Sequence, residues 1–292
     1  MEKKKKKWGD RRDGVWLKDL DGMHLIMPHL MPKRTESEIY LQEQMDATAL
    51  MKYVAARNAE NGDYKTTPFH LFVTAIAKTV YFRPLLNRFI SGKRTYQRDE
   101  IIIAFVVKQK FEDNAEERLL LLKVKPEDRL EEISRKILGD ARKLRTDSSN
   151  DVNDIMNFVG RMPRWMMRFF FGMIRFLDFH GWMPRAITEG DTNFSTVLLS
   201  NLGSIKCDAP YHHLNNYGTN SILITVGEIH KAPMVNEKGE IEIRDVVNFG
   251  CTVDERIADG FYFAKSVKFV KHLIANPQLL EDPIATEVNY EF

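Results

Sequence analysis

Three apolar segments that follow one another in the second half of the chain restrict its fold most. They are FSTVLLSN (194–201), SILITVGEI (221–229) and IEIRDVVNFGCTV (241–253), and a turn around 236–239 joins the last two. Runs of this length and composition, bounded by turn residues, are typical of buried strands. A helix pattern follows them and ends at Asn276-Pro277. The sequence therefore predicts a sheet in this half, closed by a helix.

The first half of the chain mixes strands and helices in an irregular order. One helix pattern begins at Thr67-Pro68, where threonine caps well and proline suits the first helical position. The other predicted elements are a strand around 39–41, a helix from 46 to 62, a hairpin turning at 91–92, a buried strand over 101–107 and a strand–helix pair over 118–145. Because strands and helices do not alternate, we predict an α/β layered fold with a mixed sheet rather than a doubly wound one.

Composition and charge bound the class of protein. The 292 residues are 43% hydrophobic, and 43 basic residues nearly balance 41 acidic ones. This is ordinary for a globular protein, and the small net charge gives no argument for nucleic-acid binding. We predict a basic, flexible amino-terminal tail over 1–24 and a single domain over 25–292, with a hydrophobic helical insert at about 160–184. The polar run 146–154 is the best linker candidate.

The cysteines and the amino terminus indicate the compartment. Cys207 and Cys251 are too few for a disulfide framework, and we interpret both as small buried hydrophobic residues in a reducing cytosol. No apolar run follows the lysines near Met1, so a secretory signal is not predicted. We therefore expect a cytoplasmic protein.

Two motifs in the second half of the chain resemble those of one protein family. LLSNLGSI (198–205) is similar to a Ser-Asn-Leu-Gly strand end, and DERIADG (254–260) resembles an Asp-His-Arg-x-x-Asp-Gly motif. Both occur in the catalytic domain of the dihydrolipoamide acyltransferases of 2-oxoacid dehydrogenase complexes, whose fold chloramphenicol acetyltransferase shares. With MDATAL (45–50) and TPFHLFVTAIAKTV (67–80), the resemblance extends over about 25–285.

The resemblance implies a chloramphenicol acetyltransferase-like two-layer sandwich, assembled as a homotrimer with active sites between subunits. Coenzyme A enters a channel from one side and the acyl acceptor from the other, while a histidine takes the proton and a serine hydroxyl steadies the oxyanion. By motif position Ser200 is that serine, and Asp259 is an aspartate that holds the local geometry, with Arg34 as a candidate partner. No metal is expected. The residues expected to border coenzyme A are Asn201, Gly203 and Arg256.

The position of the family's catalytic histidine is occupied by Glu255. Moving a thiol proton to an imidazole costs about 3 kcal/mol, but moving it to an ordinary glutamate costs about 6 kcal/mol. Burial raises the pKa of a carboxylate and narrows this gap, yet its charge would still repel a developing thiolate. The replacement therefore calls for a second base.

Two adjacent histidines, His212 and His213, lie in the loop-like stretch APYHHLNNYG between the Ser200 strand and the next one. Because the loop should stay near the end of that strand, one histidine is a candidate base and Glu255 a candidate for orienting it. The alternative is that the pair satisfies backbone groups or faces water. These three side chains are of the types that bind zinc, but their spacing is not that of a metal site.

Structural roles also account for the motif residues. A strand-end Ser-Asn-Leu-Gly can build a turn in which Asn201 and Gly203 adopt unusual dihedrals. Asp259-Gly260 can begin a helix whose free amides the aspartate caps, which agrees with the family role.

The hydrophobic insert contains MPRWMMRFFFGMIRFLDFHGWMP at 162–184. Its charges would each cost about 2.5 kcal/mol or more near a bilayer centre, so a membrane span is not predicted. Its arginines fall on one face of a helix. Three roles fit: peripheral membrane contact, a cover over the acceptor end of the channel, or a packed helix in the domain or at a trimer contact. The arginines are Arg161, Arg164, Arg168 and Arg175.

Two hypotheses of function follow. The first is a coenzyme A-dependent acyltransferase that acts on a small-molecule or lipid-like acceptor with a non-standard base. The second is a catalytically degenerate trimeric relative that acts as a binding or scaffold protein. No lipoyl or peripheral-subunit-binding segment is recognisable, so we do not expect membership in a dehydrogenase complex.

Overall fold

The computed structural model describes residues 6–7, 9–60, 64–108, 117–146, 159–236 and 238–292. The main sheet of this part has seven strands in the order β2-β10-β8-β7-β5-β6, with β9 also paired to β10. The β5–β7 and β7–β8 pairs are parallel and the others are antiparallel, which confirms the mixed sheet. The strands are β2 Glu38–Asp46, β5 Ile101–Lys108, β6 Glu117–Val124, β7 Val197–Asn201, β8 Ile222–Val226, β9 His230–Val235 and β10 Ile241–Asp254.

One layer of helices packs against this sheet. The described helices are α1 Gly22–Leu30, α2 Thr48–Ala59, α3 Pro68–Phe82, α4 Leu130–Thr146, α5 Arg164–His180, α6 Arg185–Thr188 and α7 Gly260–Ala275. Helix α3 lies in the middle of the layer, in contact with α2, α4, α7 and strand β5. Its side chains are buried from His70 to Val80. The sheet and the layer of α2, α3, α4 and α7 thus form the predicted two-layer sandwich around one apolar core.

A second, three-stranded sheet stands beside the sandwich. It contains β1 Gly14–Trp16, β3 Arg88–Ser91 and β4 Arg94–Arg98 in the order β1-β4-β3. The hairpin between β3 and β4 turns through Gly92 and Lys93, which have φ angles of 57° and 59°, close to the predicted position. Helix α1 packs on β4, and α5 packs on β3.

The structure corrects the prediction of a flexible tail over 1–24. Residues 14–16 form β1 and pair with β4, and Arg11 is buried. The guanidinium of Arg11 donates to the hydroxyl of Ser91 at 2.8 Å. The amino-terminal segment from residue 9 onward therefore belongs to the small sheet, because a long-range strand pairing overrides its polar composition.

Two element boundaries also differ from the predictions. The turn around 236–239 joins β10 to β9, a strand that the sequence analysis did not separate from the preceding apolar segment. Helix α2 begins at Thr48 rather than directly after Asp46, although the Asp46 carboxylate still accepts from the Thr48 amide at 2.8 Å. The predicted helix end at residue 62 and most of the linker 146–154 lie outside the described residues.

Across the described ranges, none of the helices has the length and apolar character that crossing a membrane requires. The arginine-containing helix α5 is 17 residues long and includes no buried residue.

A buried histidine at the start of α3 makes stability depend on pH. The Thr67 amide donates to Nδ1 of His70 at 3.3 Å, and burial lowers the pKa of His70 to about 4. In the unfolded chain the imidazole takes a proton below about pH 6.5, whereas the folded chain resists protonation. We expect the free energy of unfolding to fall by up to about 3 kcal/mol between pH 7 and pH 4 from this group alone.

The variant His70→Gln isolates this effect, because glutamine keeps an acceptor for the Thr67 amide and does not titrate. Urea unfolding followed at pH 7, 5.5 and 4 should give a shallower loss of stability in the variant than in the parent chain. Equal losses in the two proteins would show that His70 is not the responsible group.

Candidate active site

Ser200 lies at the carboxyl end of β7, one residue before the strand ends. In the strand register Ser200 is paired with Thr225 of β8. Thr225 is paired with Gly250 of β10, and Gly250 with Gln42 of β2, so these four residues form one row across the sheet. Ser200 is half-buried, and its hydroxyl makes no hydrogen bond to any group in the described part of the chain. The hydroxyl is therefore free to serve a ligand.

The turn after Ser200 explains why a glycine follows it. A Cβ atom on Gly203 would lie 2.5 Å from the carbonyl oxygen of Gly227, so only glycine allows this close approach of two backbones. The Asn201 carbonyl accepts from the Ser204 hydroxyl at 2.8 Å, and Lys206 closes the turn with a φ of 57°. Asn201 and Gly203 thus form part of the turn, but neither has a positive φ, so the left-handed dihedral predicted for them occurs at Lys206 instead.

The loop that contains His212 and His213, residues 209–218, is called the histidine loop below. It follows this turn and crosses the sheet. It passes over Gly250, where an added Cβ would meet the Pro210 carbonyl oxygen at 2.7 Å, and Thr225 donates to the same carbonyl. The ring of Tyr211 then contacts Tyr40 of β2 at a centroid distance of 5.4 Å. The Leu214 amide donates to the Glu38 carboxylate at 2.5 Å. The middle of the loop therefore lies on the edge strand β2.

This path corrects the expectation that the histidine pair stays near the end of the Ser200 strand. Between β7 and β2 lie three strand spacings, or about 14 Å. His212 and His213 fall between the Tyr211 and Leu214 contacts, so their backbone runs along β2. Within one chain the pair is consequently too far from Ser200 to share a reacting atom with it.

His212 and His213 have different hydrogen-bonding states. Nδ1 of His212 lies 3.0 Å from the carbonyl oxygen of His213, and the two rings stack with centroids 4.7 Å apart. A carbonyl can only accept, so Nδ1 of His212 bears the proton and Nε2 of the neutral ring bears a lone pair. Both histidines are exposed. Of the two rings, His212 is therefore the one whose orientation is fixed by a hydrogen bond.

Glu255 follows a buried ion pair at the end of β10. Asp254, the last strand residue, is fully buried. Its carboxylate accepts hydrogen bonds from Nε and Nη2 of Arg256 at 2.7 and 2.6 Å. The Ser37 hydroxyl also donates to this carboxylate at 3.0 Å, and Nη1 of Arg256 donates to the Met31 carbonyl at 2.7 Å. All three guanidinium nitrogens of Arg256 are thus used inside the fold. Two of its five N–H groups are left over and Arg256 borders the cleft described below, so its predicted place beside coenzyme A stays a prediction.

Glu255 itself is held by its backbone only. Its amide donates to the Ser37 carbonyl at 2.9 Å, whereas its half-buried side chain forms no hydrogen bond or ion pair with the part of the chain described here. In particular, the Nδ1 partner of His212 is a carbonyl and not Glu255, so the predicted relay does not form within one chain. The carboxylate is available to a ligand or to another subunit.

Ser200 and Glu255 stand at opposite ends of the strands. Gly250 is the β10 residue in the same row as Ser200, and Glu255 lies five residues beyond it. These five residues span about 17 Å along the strand direction. One chain therefore presents two separate half-sites: the Ser200 turn, and the corner formed by Glu255 and the histidine loop. Only a second chain could bring one half-site against the other.

Asp259 and Arg34 take separate roles. Asp259 is exposed and caps α7, accepting from the Tyr262 amide at 2.7 Å, as the sequence predicted for a helix start. The suggested pairing with Arg34 is wrong within the chain. Arg34 is buried and donates to the Ile90 and Gly218 carbonyls at 2.9 and 2.5 Å, which anchors the end of the histidine loop. Burial lowers its pKa to about 10, opposed by the charge of Asp254.

A basic cleft adjoins the Glu255 corner. It has a volume of about 490 Å³ and is bordered by Arg34, Arg256 and the loop end at 215–218. Its exposed cationic side chains are Lys33, Lys93 and Arg175, and its acidic member is Asp178. Nε of Arg34 and Oδ1 of Asp178 are buried there without a hydrogen-bond partner in the described chain. The cleft therefore offers both an unused donor and an unused acceptor.

Several residues that shape the site were not identified from the sequence. Ser37 and Glu38 join the motif strand to the histidine loop. They lie at the start of β2, whose partner β10 is about 200 residues away in the chain, and no local pattern marks such a pairing. Of the cysteines, Cys251 is buried as expected, whereas Cys207 is exposed in the loop. In the described part of the chain no group of three or more metal-ligand side chains is present.

Comparisons with known proteins agree with this architecture. Residues 184–281 match the family model described as 2-oxoacid dehydrogenases acyltransferase (catalytic domain). The lipoamide acyltransferase component of the branched-chain alpha-keto acid dehydrogenase complex of Bacillus subtilis (strain 168) is 24% identical over 250 residues, which are 83% of this chain and 48% of that protein. The chain thus spans about half the length of the curated relative that it matches.

Solved structures share the fold, and two of them serve as examples. A probable dihydrolipoamide acetyltransferase from Listeria monocytogenes 4b F2365 has 18% identity and a TM-score of 0.58, with 94% of this chain and 97% of that chain covered. A chloramphenicol acetyltransferase has 12% identity and a TM-score of 0.56, with 89% of this chain and 99% of that chain covered. These matches confirm the predicted resemblance and the chloramphenicol acetyltransferase-like fold.

Proposed function

We propose that this chain, which has the fold of chloramphenicol acetyltransferase and resembles the catalytic domain of 2-oxoacid dehydrogenase acyltransferases, is a coenzyme A-dependent acyltransferase. Its acceptor is a small-molecule or lipid-like compound. The supporting observation is that one chain exposes two complementary half-sites, each with a polar side chain that has no partner in the described fold. These two side chains are the Ser200 hydroxyl and the Glu255 carboxylate, and His212 belongs to the same corner as Glu255.

The proposed assembly is a homotrimer, as the family resemblance implies. In a closed ring each chain presents one half-site to each neighbour, so three equivalent sites form from one type of contact. The separation of about 17 Å between Ser200 and Glu255 along the sheet supports this arrangement, because the two residues cannot meet in one chain.

The reaction assigns one task to each half-site. Nε2 of His212 takes the proton of the acceptor thiol or hydroxyl as that atom attacks the thioester carbonyl. The Ser200 hydroxyl from the neighbouring chain donates to the oxyanion that forms. When the intermediate collapses, the carbon–sulfur bond breaks and the His212 imidazolium returns the proton to the coenzyme A thiolate. The Glu255 carboxylate, at the same corner, stabilises the imidazolium while it exists.

The basic cleft is the part of the chain that fits the phosphate groups of coenzyme A. The exposed Lys33, Lys93 and Arg175 offer cationic donors, and the unpartnered Nε of Arg34 adds a buried one. The cleft borders Arg256, the residue after Glu255, so coenzyme A held there by its phosphates would extend its thioester arm toward the Glu255 corner. The coenzyme would supply the thioester that the reaction cleaves.

Acyl transfer can be tested with Ser200→Ala. Removing one oxyanion donor should lower kcat about 100- to 1,000-fold with little change in KM, because the hydroxyl acts mainly on the transition state. The measurement is release of free coenzyme A thiol from a panel of acyl-coenzyme A donors and candidate acceptors. Ser204→Ala is the matched control, since this exposed serine on the same turn bonds only to the Asn201 carbonyl.

The second candidate is a degenerate trimeric relative that binds without catalysing. The observation that favours it is the glutamate at the position of the family's histidine. If the parent chain releases no thiol with any donor but Glu255→His gains activity, the scaffold function is correct. Activity in the parent that Ser200→Ala leaves intact would instead mean that another site performs the reaction.

A further inference from the structure

Helix α5 turns aromatic side chains away from the domain. Trp165, Phe169, Phe176 and Phe179 follow one another at spacings of three, four or seven residues and form an aromatic stripe. Their side chains are 71, 74, 54 and 50% exposed. Large aromatic groups lined up in this way on a surface mark an interaction site rather than scattered exposure.

The orientation of the stripe is fixed by the opposite face of α5. Met167, Phe170, Ile174 and Leu177 are half-buried on that face. The carbonyl of Asp178 accepts from the Arg11 guanidinium at 3.2 Å and from the Ser91 hydroxyl at 3.1 Å, which ties the end of the helix to the small sheet. The aromatic stripe cannot be buried by rolling the helix without breaking these contacts.

Positive charge lies along one side of the aromatic stripe. Arg164, Arg168 and Arg175 are exposed and follow the predicted row along the helix. The acidic residue of α5, Asp178, is turned inward, where its Oδ2 atom accepts from the Gly218 amide at 3.4 Å. The outward part of the helix therefore combines apolar and cationic character without acidic groups.

Helix α1 adds a second apolar surface on the same small sheet. It packs on β4, the strand next to β3, on which α5 packs. Met23, Ile26 and Leu30 lie at helical spacing and are 64, 53 and 70% exposed. The segment that follows α1 and the end of α5 border the same basic cleft. The small sheet thus presents two helices with exposed apolar faces.

We propose that this surface binds in the plane of an anionic lipid bilayer, with the aromatic stripe at the level of the outer acyl chains and the arginines among the head-group phosphates. An aromatic face flanked by arginines is the composition of helices that lie at the membrane interface. Tryptophans at both ends, Trp165 on α5 and Trp182 just beyond it, suit the boundary between apolar and wet regions. The charge complementarity favours lipid over a protein partner, and this inference does not rest on the proposed enzymatic function.

Vesicle co-sedimentation of the full chain tests the proposal. Binding should be strong to vesicles of three parts phosphatidylcholine to one part phosphatidylglycerol and weak to phosphatidylcholine alone. Phe169→Ser should weaken binding about 10-fold or more, and Arg168→Glu at least about fivefold, while Arg168→Lys binds nearly as well as the parent. Ile241→Ser, which removes an equally exposed apolar side chain from the β9–β10 hairpin, is the control and should bind normally.

Two results would overturn the proposal. One is equal binding of Phe169→Ser and the parent chain to anionic vesicles. The other is a change in oligomeric state, measured by sedimentation velocity without lipid, in Phe169→Ser but not in Ile241→Ser, because the stripe would then be a contact between copies of this chain. Circular dichroism that matches the parent shows that a variant is folded, and Trp165→Ser provides a second test if Phe169→Ser is not.

Discussion

Replacing Arg256 with methionine is expected to lower the free energy of unfolding by about 3–5 kcal/mol. The substitution leaves the carboxylate of Asp254 fully buried and without its cation, and it also frees the Met31 carbonyl. The loss is large because the Ser37 hydroxyl that still donates to the carboxylate cannot replace the charge of the guanidinium in a site without water. Urea unfolding at pH 7, with the midpoint and slope fitted together, measures it.

Arg244→Met is the matched control. Arg244 also pairs with two carboxylates, Glu242 and Asp46, but its side chain is 34% exposed. Water screens this pair, so its removal should cost no more than about 1 kcal/mol. The double variant Asp254→Asn/Arg256→Met should recover part of the lost stability because residue 254 then no longer carries a buried charge. Equal losses for Arg256→Met and Arg244→Met would contradict the structural role of the buried pair.

Replacing His212 with alanine is expected to lower kcat for acyl transfer about 100- to 10,000-fold, the range typical of removing a general base. His213→Ala should have a much smaller effect, because its carbonyl, the group that fixes the tautomer of His212, belongs to the backbone and survives. The readout is thiol release across pH 5.5–9 with the best donor found. A greater loss in His213→Ala would assign the base to the other histidine.

A mixing experiment distinguishes a shared site from a site within one chain. Trimers that assemble at random from equal amounts of Ser200→Ala and His212→Ala chains should regain about a quarter of the parent activity, because one site in four then combines an intact serine with an intact histidine. Neither variant alone should exceed its own low rate. Mixed trimers that stay inactive would place both groups in the same chain, against the separation seen across the sheet.

The candidate site was only partly predictable. Ser200, Glu255 and Asp259 occupy motif positions, and the helix cap at Asp259 follows from local chemistry, since an aspartate before a helix can reach the free amides of its first turn. The roles of Arg34 and Arg256 were not predictable. Each guanidinium binds groups far away in the chain, Gly218 in one case and Met31 in the other, and no local spacing encodes such contacts.

The sequence by itself determined the features that depend on near neighbours: the Thr67-Pro68 helix start, the hairpin turn at Gly92, the strand that ends at Asn201 and the cap of α7. Each follows from the dihedrals and hydrogen bonds available to a few adjacent residues. Only the tertiary structure decided that the histidine loop crosses to β2 and that Ser200 and Glu255 lie apart. Those outcomes depend on strand order and register, which arise from packing between residues distant in sequence.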